Sequence, residues 1–73
     1  MKFLSYTSGV LKMYVSSEGK MIPEGTAVNI YRVQDGKDLY VLVHEHASTK
    51  TVRLPYDETR ESVLLGDEAV NYT

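Results

Sequence analysis

The sequence predicts an all-β domain built from short antiparallel strands. Residue types that favour strands (Val, Ile, Thr, Tyr and Phe) supply 24 of the 73 residues. Apolar and polar residues alternate on both sides of Asp35-Gly36, a dipeptide typical of a tight hairpin turn. These observations predict a meander of three consecutive strands, from Gly25 to Pro55, as the centre of the fold.

The Asp35-Gly36 turn sets the pairing of the first two strands, predicted over residues 26–33 and 39–46. With Gln34 opposite Lys37, Tyr31 lies opposite Tyr40. A four-residue turn slides this pairing but keeps the same two faces, because side chains alternate from face to face. The inner face is then Val28, Ile30, Leu39, Val41 and Val43, and the outer face is Ala27, Asn29, Tyr31, Tyr40, Leu42 and His44.

A second turn near Ser48-Thr49 leads to a third strand from Thr51 to Leu54. It places Val43 opposite Leu54, and Glu45 opposite Val52, on the inner side, with His44 beside Arg53 on the outer side. We expect Glu45 at the strand end, where its carboxylate reaches water, because an unpaired buried charge is costly. Both turns sort the apolar residues to one side, and this agreement supports the meander.

The N-terminal segment predicts a hairpin around Ser8-Gly9, with strands from Lys2 to Tyr6 and from Val10 to Val15. The inner side of this hairpin would carry Leu4, Tyr6, Leu11, Met13 and Val15, and the other side Phe3, Lys12 and Tyr14.

Residues 16–25 then form the longest predicted loop, in which Met21-Ile22 packs back over the core. Pro23-Glu24-Gly25 ends this loop as a turn.

Beyond Pro55 the strand alternation stops. We expect one helical or 3-10 turn near Tyr56 to Glu61, then a last strand from Ser62 to Leu65. The tail, residues 67–73, is expected either to fray or to add an edge strand through Val70 and Tyr72.

Length and composition indicate a single domain, residues 1–73, in a reducing compartment. The chain has no cysteine, which excludes disulfides and thiolate metal sites and favours the cytoplasm. Its first ten residues carry one lysine and no sustained apolar run, so we expect neither a signal peptide nor a membrane span. The net charge of −2 lacks the basic balance typical of nucleic-acid binding.

The order of these elements resembles that of an SH3-like small barrel, with its core over residues 10–66. The resemblance is one of topology and spacing. The chain has no Trp, and Pro55-Tyr56 does not reproduce the Pro-x-x-Tyr element of signalling SH3 domains, so it implies no proline-rich ligand. In size and lack of cysteine the chain is also similar to small accessory proteins of bacteriophages and prophages.

The predicted outer face is the candidate binding site, carried by Tyr31, Tyr40, His44 and Arg53. Aromatic and Arg side chains are enriched at binding hot spots because they combine a large contact area with a polar group. The alternative role of the two tyrosines is structural, since a cross-strand pair stabilises a hairpin by about 0.2 to 1 kcal/mol without any partner.

His44 and His46 are the residues nearest to a metal-ligand pattern. Both project to one side of a strand, but two ligands are too few for a zinc site. A third would have to come from Asp57, Glu58 or a second subunit. We therefore expect no metal and no cofactor.

The sequence carries no phosphate loop, nucleophile elbow or other enzymatic motif. It predicts a non-enzymatic interaction module whose partner is another protein or a second copy of itself, with no membrane. The alternative is a barrel that binds single-stranded nucleic acid, in which Phe3, Tyr31 and Tyr40 stack on bases. Phosphates would then contact Lys12, Lys50 and Arg53.

Overall fold

The computed structural model describes residues 1–56, 64–65 and 70–72. It confirms the all-β class, because antiparallel strands account for most of these residues. The described residues contain seven strands: β1 (Lys2–Val10), β2 (Val15–Ser17), β3 (Lys20–Ile22), β4 (Ala27–Asp35), β5 (Asp38–Glu45), β6 (Thr51–Pro55) and β7 (Val70–Tyr72).

The strands form two antiparallel sheets instead of the closed SH3-like barrel. Five strands pair in the order β6-β5-β4-β1-β7, while β2 and β3 form a separate hairpin. Among the described strands, the larger sheet ends at β6 on one side and at β7 on the other, and a sheet with two edges is not a barrel.

β1 differs most from the sequence expectation. The predicted turn at Ser8-Gly9 is wrong, because both residues lie inside one continuous strand that pairs with β4. Gly9 is opposite Val28, and Thr7 is opposite Ile30. Pairing along a distant strand supplies hydrogen bonds to the whole segment, which outweighs the local preference of Ser-Gly for a turn.

The predicted strand from Val10 to Val15 is also wrong. The chain leaves the sheet after Val10, and residues 11–14 are not in a strand. Leu11 is nevertheless buried, and its backbone N–H donates to the carbonyl of Thr26 at 3.0 Å. An apolar residue therefore anchors this connection to the core.

The segment expected to be a long loop contains the β2–β3 hairpin. At its tip, Glu18 and Gly19 both have positive φ angles, 54° and 78°, as a type I′ turn requires. The predicted packing of Met21-Ile22 over the core is confirmed for Ile22, which is fully buried, whereas Met21 is exposed.

The predicted turn at Pro23-Glu24-Gly25 is present. The Thr26 hydroxyl donates to the carbonyl of Pro23 at 2.8 Å, and the Gly25 N–H donates to the carbonyl of Leu11 at 2.9 Å. Strand β4 begins two residues later.

The β4–β5 hairpin keeps the predicted faces in a shifted register, although Leu39, predicted in the core, is exposed near the start of β5. Asp35 pairs with Asp38, so the turn residues are Gly36-Lys37 instead of Asp35-Gly36. Gly36 has a φ of 63°, which fits the first central position of a type II′ turn. The pairing has slid by two residues, and a shift of two leaves every side chain on its original face.

The β5–β6 pairing is shifted in the same way. Val43 lies opposite Val52, and His44 lies opposite Thr51. Glu45 is half-buried at the end of β5, as expected, where it accepts a hydrogen bond from the Ser48 hydroxyl at 3.0 Å.

The core lies on the inner face of the large sheet. The β2–β3 hairpin and Leu64-Leu65 contribute to it from outside this sheet. The main cluster of buried apolar residues is Leu11, Val15, Ile22, Val28, Ile30, Val41, Val43, Val52, Leu54, Leu64 and Leu65.

The C-terminal expectations have mixed outcomes. Leu64 and Leu65 have helical backbone where a strand from Ser62 to Leu65 was expected. The turn predicted near Tyr56 to Glu61 falls mostly outside the described residues. Val70–Tyr72 confirms the edge-strand alternative for the tail, pairing with β1 opposite Tyr6 to Ser8. Within the described part of the chain, no helix is long and apolar enough to cross a membrane.

Candidate functional site

The four predicted site residues share one face of the large sheet. Residues paired across an antiparallel ladder project to the same side. Leu42 pairs with both Tyr31 and Arg53. Tyr40 and His44 lie two residues before and two residues after Leu42 in β5, so they project to the same side. This surface is the predicted outer face, which the structure extends to strands β1 and β6. From here on the name covers Phe3, Tyr6, Asn29, Tyr31, Tyr40, His44, Thr51 and Arg53.

A cluster of three aromatic rings forms the centre of the outer face. The ring centroids of Tyr6 and Tyr31 are 5.4 Å apart, and Phe3 lies 6.4 Å from Tyr6 and 6.2 Å from Tyr31. All three pairs are tilted, a geometry that favours aromatic contacts. Phe3 remains 55% exposed, so the cluster presents an aromatic surface to solvent.

Tyr6 and Phe3 were not predicted to lie together beside Tyr31. Strict alternation would place residues 3 and 6 on opposite faces of β1. The pairing with β4 shifts between Phe3 and Ser5, so one extra residue lies in β1 at this point. This β-bulge reverses the alternation and brings both rings to the same side. The local sequence carries no glycine or other signal for a bulge between Phe3 and Ser5.

The hydroxyl of Tyr31 is held by a short chain of hydrogen bonds. The Asn29 side-chain amide donates to it at 3.1 Å, and the Oδ1 of Asn29 lies 2.8 Å from the Nε2 of His46. Because an amide oxygen only accepts, the Nε2 of His46 carries the proton. Tyr31 therefore accepts from within the protein, and its own O–H can donate to a partner.

Tyr40 lies on the predicted face but is not an exposed ring. It is only 7% exposed, because the Arg53 guanidinium carbon lies 4.0 Å from the ring centroid. Its hydroxyl also donates to the sulfur of Met1 at 2.9 Å. The expectation that Tyr40 offers an open surface is therefore corrected: Arg53 is the exposed group, and Tyr40 supports it by a cation–π contact.

The two histidines each have a hydrogen-bond partner on the outer face. The Nδ1 of His44 lies 2.9 Å from the Thr51 hydroxyl, and His46 contacts Asn29. Among the described residues, no group of three His, Asp or Glu side chains is placed to hold a metal ion. Asp57 and Glu58, considered as further ligands, lie outside the described residues.

His44 and Thr51 lie within hydrogen-bond distance across β5 and β6, as a base and a hydroxyl nucleophile would. In nucleophilic catalysis a third group orients the base. In the described part of the chain, Thr51 is the hydrogen-bond partner of His44, and no carboxylate contacts the imidazole. The contact fits a cross-strand hydrogen bond that stabilises the β5–β6 pair.

A cleft of about 350 Å³ borders the outer face at one end of β6. It lies between the tip of the β2–β3 hairpin and the ends of β5 and β6. Glu18 and Asp38 give it negative charge, and Arg53 gives it positive charge. The lining residues are Ser17, Glu18, Asp38, Leu39, Tyr40, Arg53, Leu54 and Pro55.

No protein-family model, curated protein or solved structure matches the chain. The class of protein is therefore defined by the fold and the site: a small all-β domain with an open aromatic face.

Proposed function

We propose that this protein is a non-enzymatic binding module that recognises another protein through the outer face. The observation that carries the proposal is the cluster of Phe3, Tyr6 and Tyr31 on the solvent side of a sheet whose opposite side forms the core. A pair of tyrosines suffices to stabilise the strands. An exposed third ring adds contact area for a partner.

The polar groups around the cluster support recognition of a protein surface. Interfaces combine aromatic anchors with a rim of hydrogen-bonding groups. Here the Tyr31 hydroxyl can donate, and the Arg53 guanidinium is exposed and oriented by Tyr40. Both groups are already held by neighbours, so binding would cost less ordering of side chains.

A second candidate function is binding of single-stranded nucleic acid, favoured by the same three rings. Bases stack on aromatic side chains with little sequence preference. The cations proposed to contact phosphates have other contacts: the Lys50 ammonium donates to the carbonyl of Met21 at 3.2 Å, and Arg53 stacks on Tyr40. A titration of the protein with a fluorescent oligothymidine at low salt tests this function, and salt-dependent binding would support it.

The cysteine-free composition supports a cytoplasmic location, and the small size supports an accessory role in a phage or prophage. Sequencing the genes that flank the coding sequence tests the proposed role in a phage or prophage. Phage structural or regulatory neighbours would support it.

The main proposal is tested by quantitative pull-down from the source cells with a double variant, Phe3→Ser with Tyr31→Ser. Tyr14→Ser is the matched control, because Tyr14 is an exposed aromatic residue in the connection between β1 and β2. We expect the double variant to lose the proteins that the wild type and Tyr14→Ser retain. Equal recovery by a correctly folded double variant would refute the proposal. Circular dichroism checks the fold of each variant.

A further inference from the structure

Among the described strands, β6 is an edge of the large sheet, and its pairing with β5 shows which backbone groups face outward. The Glu45 N–H donates to the carbonyl of Lys50 at 3.1 Å, and the Tyr56 N–H donates to the carbonyl of Leu39 at 3.3 Å. Hydrogen-bonded positions alternate along an antiparallel strand. Thr51 and Arg53, at the intervening positions, therefore point their backbone groups away from β5.

We call Thr51, Arg53 and Pro55 the outer edge of β6. Thr51 and Arg53 each present an N–H and a C=O there, and no described residue pairs with these groups. Pro55 has no N–H, which limits pairing at that end. An added strand would therefore pair with Thr51 and Arg53 and extend towards Lys50.

The charge of this edge indicates what kind of strand fits. The segment from His46 to Tyr56 contains Lys50 and Arg53 and no carboxylate, although the whole chain has a net charge of −2. A residue beside Arg53 in an added strand would lie near its guanidinium, where opposite charges stabilise cross-strand pairs.

The positive charges of Lys50 and Arg53 also disfavour a second copy of the chain as the occupant of this edge. If the β6 strands of two copies of the chain paired with each other at Arg53, the two guanidinium groups would lie opposite each other, and their repulsion is unfavourable. Glu18 and Asp38 line the cleft together with Arg53, so an acidic side chain in the added strand would approach Arg53 from the side away from the cleft.

We propose that the outer edge of β6 binds an extended acidic segment of a partner protein as a sixth strand of the large sheet. The inference rests on the proposed function, since Arg53 belongs both to this edge and to the outer face. Backbone pairing supplies the geometry, and Arg53 selects for a carboxylate.

The probe is a fluorescein-labelled ten-residue peptide in which Glu alternates with Val and Thr, compared with the same peptide carrying Lys in place of Glu. Fluorescence anisotropy measures the Kd of each at low and high salt. We expect the Glu peptide to bind, to weaken with salt, and to bind at least about tenfold more tightly than the Lys peptide. Failure of the Glu peptide to bind, or equal affinity for both peptides, would overturn the proposal.

Two substitutions at one position separate the backbone from the side chain. Arg53→Ala keeps the outward N–H and removes the charge, so we expect roughly tenfold weaker binding. Arg53→Pro removes both the outward N–H and the charge but leaves the hydrogen bonds to β5, so we expect no detectable binding. Lys2→Ala removes a charge from β1 and should leave the Kd unchanged. Retained affinity in Arg53→Pro would exclude strand addition; should that variant not fold, Thr51→Pro replaces it, because its N–H also points outward.

The outcome also distinguishes this inference from the proposed function. If Arg53→Pro keeps the cellular partners that Phe3→Ser with Tyr31→Ser loses, strand addition is wrong and recognition by the outer face stands. Sedimentation of the wild type gives a last check. A dimer that Arg53→Pro dissociates would assign the edge to a second copy and overturn the proposal.

Discussion

Tyr6 and Tyr31 lie directly opposite each other in neighbouring strands, with their ring centroids 5.4 Å apart. One residue comes from the N-terminal strand and the other from the middle of the chain, so the contact joins distant parts of the sequence. It exists because β1 runs straight through Ser8 and Gly9 and pairs with β4. The aromatic surface is therefore a consequence of the sheet order.

The contact between Tyr6 and Tyr31 should be measurable as a coupling energy. We expect the effects of Tyr6→Ser and Tyr31→Ser on the free energy of unfolding to be non-additive by about 0.5 to 1.5 kcal/mol, the usual range for aromatic pairs. Urea denaturation of both single variants and the double variant measures it. Strict additivity would mean that the rings do not interact.

Buried positions of the large sheet should be much more sensitive to truncation than exposed positions of the same sheet. Ile30 is fully buried in β4, and Ile30→Ala should lower the free energy of unfolding by about 2 to 5 kcal/mol. Leu39→Ala, at an exposed position in β5, should change it by no more than about 0.5 kcal/mol. Chemical denaturation compares the two, and similar losses would contradict the burial of Ile30 and the exposure of Leu39.

The position of the β4–β5 turn can be tested at Gly36. Its φ of 63° is unfavourable for a residue with a Cβ, although no atom lies within 4 Å of where that Cβ would be. Gly36→Ala should therefore destabilise the protein by about 1 to 2 kcal/mol through the backbone alone. Asp35→Ala, beside the turn and without a positive φ, should cost less than about 0.5 kcal/mol. Thermal unfolding distinguishes them, and a loss from Asp35→Ala as large as that from Gly36→Ala would place the turn one residue earlier.

Thr7 is a buried polar residue whose hydroxyl accepts a hydrogen bond from the guanidinium of Arg32, which also donates to Ser5 at 3.1 Å. Thr7→Val preserves the shape but removes the acceptor, so we expect a loss of about 1 to 3 kcal/mol in the free energy of unfolding. The exposed Thr49→Val is the matched control and should be nearly neutral. Equal stability of the two variants in urea would show that this hydrogen bond does not stabilise the fold.

The faces of the central meander could be predicted from sequence, whereas its register could not. Alternation places Val28 and Ile30 on one side and Asn29 and Tyr31 on the other, and a shift of two residues does not change this. The register depends on which two residues form the turn. Asp35-Gly36 and Gly36-Lys37 both supply a glycine with positive φ, so local sequence does not separate them.

The N-terminal half shows why other features could not be predicted. Ser8-Gly9 favours a turn locally, but β4 offers a pairing partner about twenty residues further along the chain. The bulge that brings Phe3 and Tyr6 to one face has the same long-range origin. Tyr40 is covered by Arg53, and its hydroxyl donates to Met1, and neither contact follows from the local sequence. The face of the candidate site could therefore be predicted, but not which of its side chains are exposed.

The central claim is that the outer face contacts a partner protein, and site-specific photo-crosslinking in the source cells tests it most directly. The photoreactive residue p-benzoylphenylalanine would replace Phe3 in one variant and Tyr14 in the other, since both positions are exposed and aromatic. We predict a discrete crosslinked protein from position 3 on irradiation and none from position 14. Crosslinks from position 14 alone, or none from position 3 in a folded variant, would contradict the account.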